Sequence, residues 1–188
     1  MTDAQAVDLT TLIGRLPMDT GTVRALQRRP KAGVHEPCEL LELCPERGVL
    51  SDRWQREPWL RLPDGKPDPR IQVALTCLPV LQAVIGPEAN PLACGDSLFL
   101  DLDLTAANLP AGSRIQLGTT ATIEISDVMN DGCGKFRQRF GARAFRRVRD
   151  PDIANLRLRG AFARIVTGGP VHTGDPVRVL SQATTGAC

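Results

Sequence analysis

The sequence predicts a mainly β protein, an antiparallel barrel or sandwich with a few short helices, one of them beside a cysteine-containing motif. From Gly21 onward the apolar runs are short, and Gly, Pro, Asp or Asn bounds each of them. Many short strands between turn residues are typical of barrels and sandwiches. The length of 188 residues suffices for one domain with its own core and without disulfide bonds.

The individual elements follow from these runs in chain order. Predicted strands cover residues 22–26, 38–43, 71–76, 98–104, 114–117, 121–125, 161–166 and 176–180. A short helix is predicted over 78–85, with Thr76 as a candidate cap and Gly86 as the stop. A longer helix is predicted over 135–149, anchored by phenylalanines 136, 140 and 145 and interrupted by Gly141.

Two segments stand apart from this pattern. Residues 1–20 are predicted to form a helical arm or a frayed end, because Leu9, Leu12 and Leu16 have helical spacing before Pro17. The remaining domain then covers residues 21–188. Residues 44–70 contain five prolines and both tryptophans, so we expect a long irregular loop of the kind that often carries function.

Charge is distributed unevenly along the chain. The net charge is only +2, but residues 1–134 hold 12 basic and 18 acidic groups, whereas residues 135–164 hold 10 basic and 2 acidic groups. A compact cationic segment on a mildly anionic body favours a small anionic cofactor or small-molecule substrate as partner.

Several partners and compartments are disfavoured by the composition. No apolar run has the length of a membrane span, and with aromatic residues at 4% and no tyrosine, a base-stacking platform for nucleic acid is not expected. The first residues lack the basic start and the apolar stretch of a secretory leader, so we expect a cytoplasmic protein with reduced thiols.

Cys133 is the cysteine whose surroundings point to chemistry. It lies between two glycines and just before the predicted cationic helix, and both a helix N-terminus and nearby cations stabilise a thiolate. The alternative is a free cysteine packed as a small apolar residue. No CxxC pair exists, so a structural zinc site is not expected. Cys38, Cys44 and Cys77 are predicted to lie in the core. Cys94 has an ambiguous setting, and Cys188, the last residue, is taken as incidental.

Arginines and aspartates supply the other candidate groups. Arg157 and Arg159 alternate with leucines, so on a strand they would share one face, and arginine suits phosphate or carboxylate. Asp101 and Asp103 would likewise share a strand face, where they would bind a metal, act as acid and base, or, as we favour, form a solvated outer surface. Asp96 follows a glycine and is a turn former.

A series of segments in this order resembles the MOSC domain, the domain found at the C-terminus of molybdenum cofactor sulfurases. The segments are Gly48-Val49-Leu50-Ser51-Asp52-Arg53-Trp54, Arg70-Ile71-Gln72-Val73-Ala74-Leu75, Gly95-Asp96-Ser97-Leu98, Asn108-Leu109-Pro110, Gly132-Cys133, Arg139-Phe140-Gly141, Leu156-Arg157-Leu158-Arg159-Gly160-Ala161 and Gly174-Asp175. The resemblance covers most of residues 21–181. It departs from the family at Ser51 and Ser97, which replace a glycine and an asparagine.

The resemblance implies a β-barrel and molybdenum cofactor chemistry. In related reductases the motif cysteine is a ligand to molybdenum, so Cys133 would be the metal ligand here. Cys133, Lys135 and Asp96 are then the candidate catalytic residues. Six residues are candidates for holding the anionic pterin: Arg53, Arg70, Asn130, Arg139, Arg157 and Arg159.

Three functions are compatible with the sequence. The first is reduction of N-oxygenated compounds at a molybdenum cofactor, with a separate electron-transfer protein as partner. The second is cysteine-dependent sulfur transfer, sulfur carriage or carbon–sulfur chemistry without molybdenum, with a sulfur donor as partner and a persulfide on Cys133 where sulfur is carried. The third is a non-catalytic module that binds an anion. Pyridoxal phosphate is not expected, although Lys135 is the only lysine in the second half of the chain.

Overall fold

The fold is mainly β, and the computed structural model describes it for residues 8–183. The strands are β1 (Thr20–Arg28), β2 (Glu36–Cys38), β3 (Leu40–Cys44), β4 (Gly48–Val49), β5 (Val73–Cys77), β6 (Leu98–Leu100), β7 (Arg114–Leu117), β8 (Ala121–Ile125), β9 (Ala161–Thr167), β10 (Gly169–His172) and β11 (Pro176–Ser181). The α-helices are α1 (Leu9–Ile13), α2 (Leu78–Ile85) and α3 (Gly134–Val148). Short 3-10 helices span Pro69–Ile71, Pro91–Cys94 and Pro151–Leu156.

Seven of these strands form a closed barrel. The order around the barrel is β11, β7, β8, β9, β5, β6 and β1, and pairing of β1 with β11 closes it. β2 extends the sheet beside β1, and a smaller sheet joins β10, β3 and β4. The predicted barrel is therefore confirmed. Within residues 8–183, no helix is both long enough and apolar enough to cross a bilayer.

The barrel is mixed, so the expectation of a purely antiparallel sheet is wrong at one pair. β5 and β6 run parallel, and α2 lies on the connection between them. Parallel neighbours need such a crossover because a tight hairpin can join only antiparallel strands. α2 has the predicted bounds, but its N-cap is Cys77 and no side chain caps it, so Thr76 does not have the predicted role.

Alternating burial explains the strands that the sequence predicts well. In β8, Ala121, Ile123 and Ile125 are buried, while the residues between them are half-buried. The same period is seen over β9, where apolar side chains face the core on alternate positions. β5 lies between β9 and β6 in the barrel and is buried along its whole length.

Several predicted strands have different limits; β1, for example, extends two residues beyond the predicted 22–26 at each end. The strand predicted over 38–43 is divided between β2 and β3 at Glu39, and the one predicted over 71–76 begins only at Val73, after a 3-10 helix. The strand predicted over 98–104 ends at Leu100. Beyond it the alternation continues in the sequence, but the backbone leaves the sheet.

The predicted cationic helix is α3, and it carries the predicted interruption. Gly141 has φ 82° and ψ 172°, which is outside the helical region, so the chain bends there. Phe136 is buried, and Phe140 and Phe145 are partly buried against the core. These three rings attach the helix to the barrel.

Of the two atypical segments, residues 8–20 pack against the domain and residues 44–70 form the irregular loop. α1 is short, and Leu9 is buried in the core, so this part of the predicted arm packs onto the domain. Residues 1–7 of the arm lie outside the described residues. Residues 44–70 contain little regular structure apart from β4 and part of a 3-10 helix.

Candidate functional site

Cys133 lies at the N-cap of α3 with its side chain exposed. The preceding Gly132 has φ 81°, and a Cβ atom there would lie 3.3 Å from Cγ2 of Val148, so the close packing of this turn favours glycine. Of the free cysteines in residues 8–183, Cys133 is the one classed as exposed. Its thiol is therefore accessible to a ligand or a reagent.

The other thiols lie in less accessible places. Cys77 and Cys94 are buried, and burial raises the pKa of Cys77 to about 12 and also raises that of Cys94. Cys38 and Cys44 are only half-buried, so the prediction of core positions is confirmed for Cys77 and too strong for these two. Cys188 lies outside the described residues.

Asp96 and Arg159 form a buried ion pair beneath the cysteine motif. Asp96 is 1% exposed and Arg159 is 7% exposed, and Nη1 of Arg159 donates to Oδ2 of Asp96. Nη2 donates to the carbonyl of Cys94 at 3.1 Å, and the guanidinium lies 5.3 Å from the ring centre of Phe136. Asp96 is thus engaged with a permanent cation.

The electrostatics of Arg159 connect this pair with Cys133. Burial lowers the pKa of Arg159, but the attraction of Asp96, together with smaller contributions from Cys94 and Cys133, raises it above its ordinary value. Cys133 is the N-cap of α3, and Phe136 in the first turn of that helix lies 5.3 Å from this guanidinium. Nε of Arg159 is buried and has no hydrogen-bond partner among the described residues, so one donor of this cation is unused.

The backbone around Arg159 is fixed by a close approach to the barrel. Gly160 has φ 94°, and a Cβ atom there would lie 2.1 Å from the carbonyl oxygen of Leu75 in β5. Only glycine fits this contact. Asn130 reaches the same segment, because its Nδ2 donates to the carbonyl of Arg159 at 3.4 Å.

Four basic side chains lie near Gly95 or act on His35 beside it, and we call them the Gly95 basic cluster: Arg29, His35, Arg53 and Arg139. Nε2 of His35 lies 2.9 Å from the point where a Cβ of Gly95 would be, and Nη1 of Arg139 lies 3.8 Å from that point. Burial lowers the pKa of His35, and Arg139, Arg29 and Arg53 lower it further. The four groups therefore share one electrostatic environment.

The contacts of this cluster leave positive charge uncompensated. Arg29 pairs with the buried Asp52 at 2.7 Å and also donates to the carbonyl of Gly95 at 3.4 Å. In contrast, the hydrogen bonds of the guanidinium groups of Arg53 and Arg139 within residues 8–183 go to backbone carbonyls, those of Glu57 and Ala93. These two cations remain available to an anion.

Sequence reasoning found Arg53 and Arg139 but missed Arg29 and His35. His35 precedes Gly95 by sixty positions, and no motif surrounds it. Arg29 has no motif of its own either, and the burial of its partner Asp52, which requires a cation beside it, is visible only in the structure.

Arg157 and Arg159 do not share a strand face, which corrects the prediction. No strand forms there: the 3-10 helix ends at Leu156, and β9 begins at Ala161. Arg157 has φ 46°, in the left-handed region, and its Nη1 donates to the carbonyls of Leu104 and Leu109 at 3.3 and 2.6 Å. Arg157 therefore has surroundings different from those of Arg159.

Two further predicted site residues lie apart from these groups. Arg70 pairs with Asp68 at 2.8 Å and with Asp127 at 3.3 Å, and it lines a cavity of about 340 Å³ together with Glu124 and Arg164. Lys135 is exposed on the first turn of α3. Its predicted catalytic role stays a prediction.

Asp101 and Asp103, which belong to the strand predicted over 98–104, have structural roles. Asp101 accepts from the backbone N–H of Thr22 at 2.5 Å and pairs with Arg24 at 3.6 Å. Asp103 is 7% exposed and accepts from the backbone and the hydroxyl of Thr105. The expectation of a solvated face is wrong for Asp103, because the strand ends before it and the chain turns inward.

Within residues 8–183, no three His, Cys, Asp or Glu side chains are grouped in a way that could hold a metal ion. A metal bound at Cys133 would therefore need its other ligands from a bound cofactor or from solvent.

Comparison with known proteins shows the fold. No protein-family model matches the chain, and no curated protein sequence matches it. The structure of YuaD from Bacillus subtilis matches with a TM-score of 0.59 at 20% identity, over 85% of this chain and 95% of that one.

YiiM from Escherichia coli matches with a TM-score of 0.52 at 18% identity, over 86% of this chain and 71% of that one. YiiM from Geobacillus stearothermophilus matches with a TM-score of 0.56 at 13% identity, over 88% and 77% of the two chains. The chain therefore shares its barrel fold with YuaD and YiiM.

Proposed function

We propose that this chain is a stand-alone MOSC-domain protein that binds molybdenum cofactor through Cys133 and reduces N-oxygenated compounds. The observation that carries the proposal is the exposed Cys133 thiol at the start of α3, the helix whose first turn meets the buried Arg159 through Phe136. The ordered sequence motifs and the barrel shared with YuaD and YiiM support the domain assignment.

The residues present fit such a cofactor. Soft thiolate sulfur suits a molybdenum centre, and a pterin dithiolene brings further sulfur ligands, so a single protein thiol is enough. Arg53 and Arg139 offer guanidinium groups that bind only backbone carbonyls in the described chain, which suits the phosphate of the pterin.

The buried ion pair has a positioning role in this proposal. Asp96 holds Arg159, and Arg159 holds the carbonyl of Cys94 and the ring of Phe136, the third residue after Cys133. The turn after the 3-10 helix and the first turn of α3 are thereby fixed to each other, which keeps the thiol at a constant place.

The bound cofactor would supply the two-electron chemistry that removes oxygen from nitrogen. Reduction of an N-hydroxy group, R₂N–OH + 2 e⁻ + 2 H⁺ → R₂NH + H₂O, needs two electrons and two protons. A separate electron-transfer protein is expected to provide the electrons.

The test is reduction of N-hydroxybenzamidine by protein produced with molybdate in a host that makes the cofactor, with reduced methyl viologen as electron donor. We expect turnover by the wild-type chain and by Cys44→Ser, and none by Cys133→Ser. Cys44 is a fair control because its half-buried thiol contacts Glu46, outside the proposed site. Equal turnover by Cys133→Ser, or by protein produced with tungstate, would contradict the proposal.

A second candidate, sulfur carriage, rests on the same exposed thiol. Thiolate attack of Cys133 on a donor persulfide would transfer the outer sulfur and release the donor thiolate. Intact mass spectrometry after incubation with a persulfide donor would then show one added sulfur on the wild type but not on Cys133→Ser. Persulfide formation without molybdenum loading would favour this function over the first.

A further inference from the structure

A second cavity is bounded in part by the loop that precedes Cys133. It has a volume of about 510 Å³ and is bounded by residues 126–131, the end of α3 and the 3-10 helix Pro151–Leu156. Its wall includes Met129, Asn130, Val148, Ala154, Arg157 and Ala161. Cys133 does not line this cavity.

Arg157 is the charged group in this cavity that lacks a carboxylate partner. Its Nη1 donates to the carbonyls of Leu104 and Leu109, while its Nε and Nη2 make no hydrogen bond within residues 8–183. The edge of the guanidinium that carries these two nitrogens has the geometry that binds a carboxylate in a bidentate manner.

The carboxylates around the cavity have partners of their own. Asp131 pairs with Arg149 at 3.2 Å, and Asp127 pairs at 3.3 Å with Arg70, a guanidinium that also pairs with Asp68 at 2.8 Å. The wall therefore holds two aspartates and two arginines, and Arg157 is the arginine among them without a carboxylate partner within residues 8–183. Two carboxylates close to a bound ligand disfavour a dianion such as phosphate, whereas one carboxylate can pair with the free edge of Arg157.

The remaining wall is largely apolar. Val148, Pro151, Ala154 and Ala161 contribute aliphatic surface beside the guanidinium. An apolar wall with one oriented cation is the usual construction of a site for a small organic anion.

The backbone keeps Arg157 in place for such a role. Arg157 has φ 46°, a conformation that residues other than glycine rarely adopt, and Gly160 closes the turn against β5. Strained backbone of this kind persists where the surrounding structure fixes it.

We propose that this cavity binds a small organic monocarboxylate with an apolar body, through the guanidinium of Arg157. The proposal does not depend on Cys133 or on a bound metal. It extends beyond the proposed reductase function, which places its cofactor at Cys133 and the Gly95 basic cluster.

The test is calorimetric titration of the full chain with benzoate, with benzamide as the neutral analogue and with inorganic phosphate. We expect saturable benzoate binding, binding of benzamide weakened at least about tenfold as expected for loss of a charge-assisted pair, and no phosphate binding that depends on Arg157. Amide chemical shifts of Gly160 and Ala161 should move with benzoate.

Three variants locate the ligand. Arg157→Gln should weaken benzoate binding at least about tenfold, whereas Arg143→Gln, which removes the same charge from the exposed surface of α3, should leave it unchanged. Ala154→Leu should weaken binding by narrowing the cavity beside Arg157 without altering a charge. If Arg157→Gln does not fold, Ala154→Leu decides the question.

Several results would overturn the proposal. They are the absence of benzoate binding, benzoate binding that survives both Arg157→Gln and Ala154→Leu, and phosphate binding that Arg157→Gln removes. The last result would assign Arg157 to a phosphate group, such as that of the pterin, in place of a carboxylate.

Discussion

Arg157 and Arg159 lie two positions apart in the chain but have opposite surroundings. Arg159 is buried, pairs with Asp96 and stacks beside Phe136 near the cysteine motif. Arg157 donates to two backbone carbonyls and lines a cavity, and its guanidinium has no carboxylate partner within residues 8–183. The difference shows that the tertiary position of each guanidinium decides whether it stabilises the fold or remains available to a ligand.

The turn at Gly160 separates the two environments, so its disruption should have the largest effect. A Cβ in Gly160→Ala would lie 2.1 Å from the carbonyl of Leu75, and we expect unfolding to become easier by more than about 4 kcal/mol. Gly174→Ala is the matched control, because it has φ 90° but open space around the new methyl group, and its cost is about 1–2 kcal/mol. Urea unfolding measures both; equal losses would contradict the proposed contact.

Removal of the partner of Arg159 tests the buried side of the comparison. Asp96→Asn leaves Arg159 buried without a counter-charge, and the free energy of unfolding should fall by about 3 kcal/mol. Asp127→Asn removes a carboxylate from an exposed pair with Arg70 and should change stability little. Chemical denaturation of the two variants should therefore differ clearly, and similar curves would mean that the buried pair does not hold the site together.

Alkaline pH tests the burial of the Cys77 thiol. Burial raises the pKa of Cys77 from 9.0 in the unfolded chain to about 12 in the folded protein. The contribution of this thiol to stability is fully present below pH 9 and is lost as pH rises from 9 toward 12, by about 1.4 kcal/mol per pH unit. The slope of unfolding free energy against pH should be shallower in Cys77→Ala than in the wild type; a slope unaffected by Cys77→Ala would contradict the burial effect.

The smallest stability effect is expected at Arg157. Arg157→Gln removes a charge that has no carboxylate partner in the described chain, so the loss is limited to its hydrogen bonds with two carbonyls, about 1 kcal/mol. Thermal unfolding of Arg157→Gln, measured beside that of Asp96→Asn, tests whether the two stability losses differ. A loss as large as that of Asp96→Asn would mean that Arg157 is structural and would weaken its assignment to a ligand site.

Local patterns explain why much of the barrel was predictable. β7 and β8 have the predicted bounds because apolar alternation between turn residues is encoded locally. The parallel pairing of β5 with β6 is not encoded locally, because the relative direction of two strands depends on which distant segment lies beside each of them. The predicted strand over 98–104 fails for a similar reason, since Asp101 bonds to the backbone of Thr22, a contact from a distant part of the chain.

The candidate site was predictable in part. Cys133 has a local signature of flanking glycines and adjacent cations, and the structure places it exposed at the start of α3. His35 has no such signature and reaches Gly95 only through the fold. The shared face expected of Arg157 and Arg159 if they lay on a strand does not form, because the left-handed backbone at Arg157 and the close contact at Gly160 turn the chain there.

The central claim is that Cys133 holds a molybdenum cofactor. Its most direct test is the molybdenum content of purified protein, measured by mass spectrometry of the metal, after production in a host that makes the cofactor. We predict near-stoichiometric molybdenum in the wild type and in Cys44→Ser, and background molybdenum in a folded Cys133→Ser variant. Background molybdenum in the wild type, or equal content in Cys133→Ser, would contradict the claim.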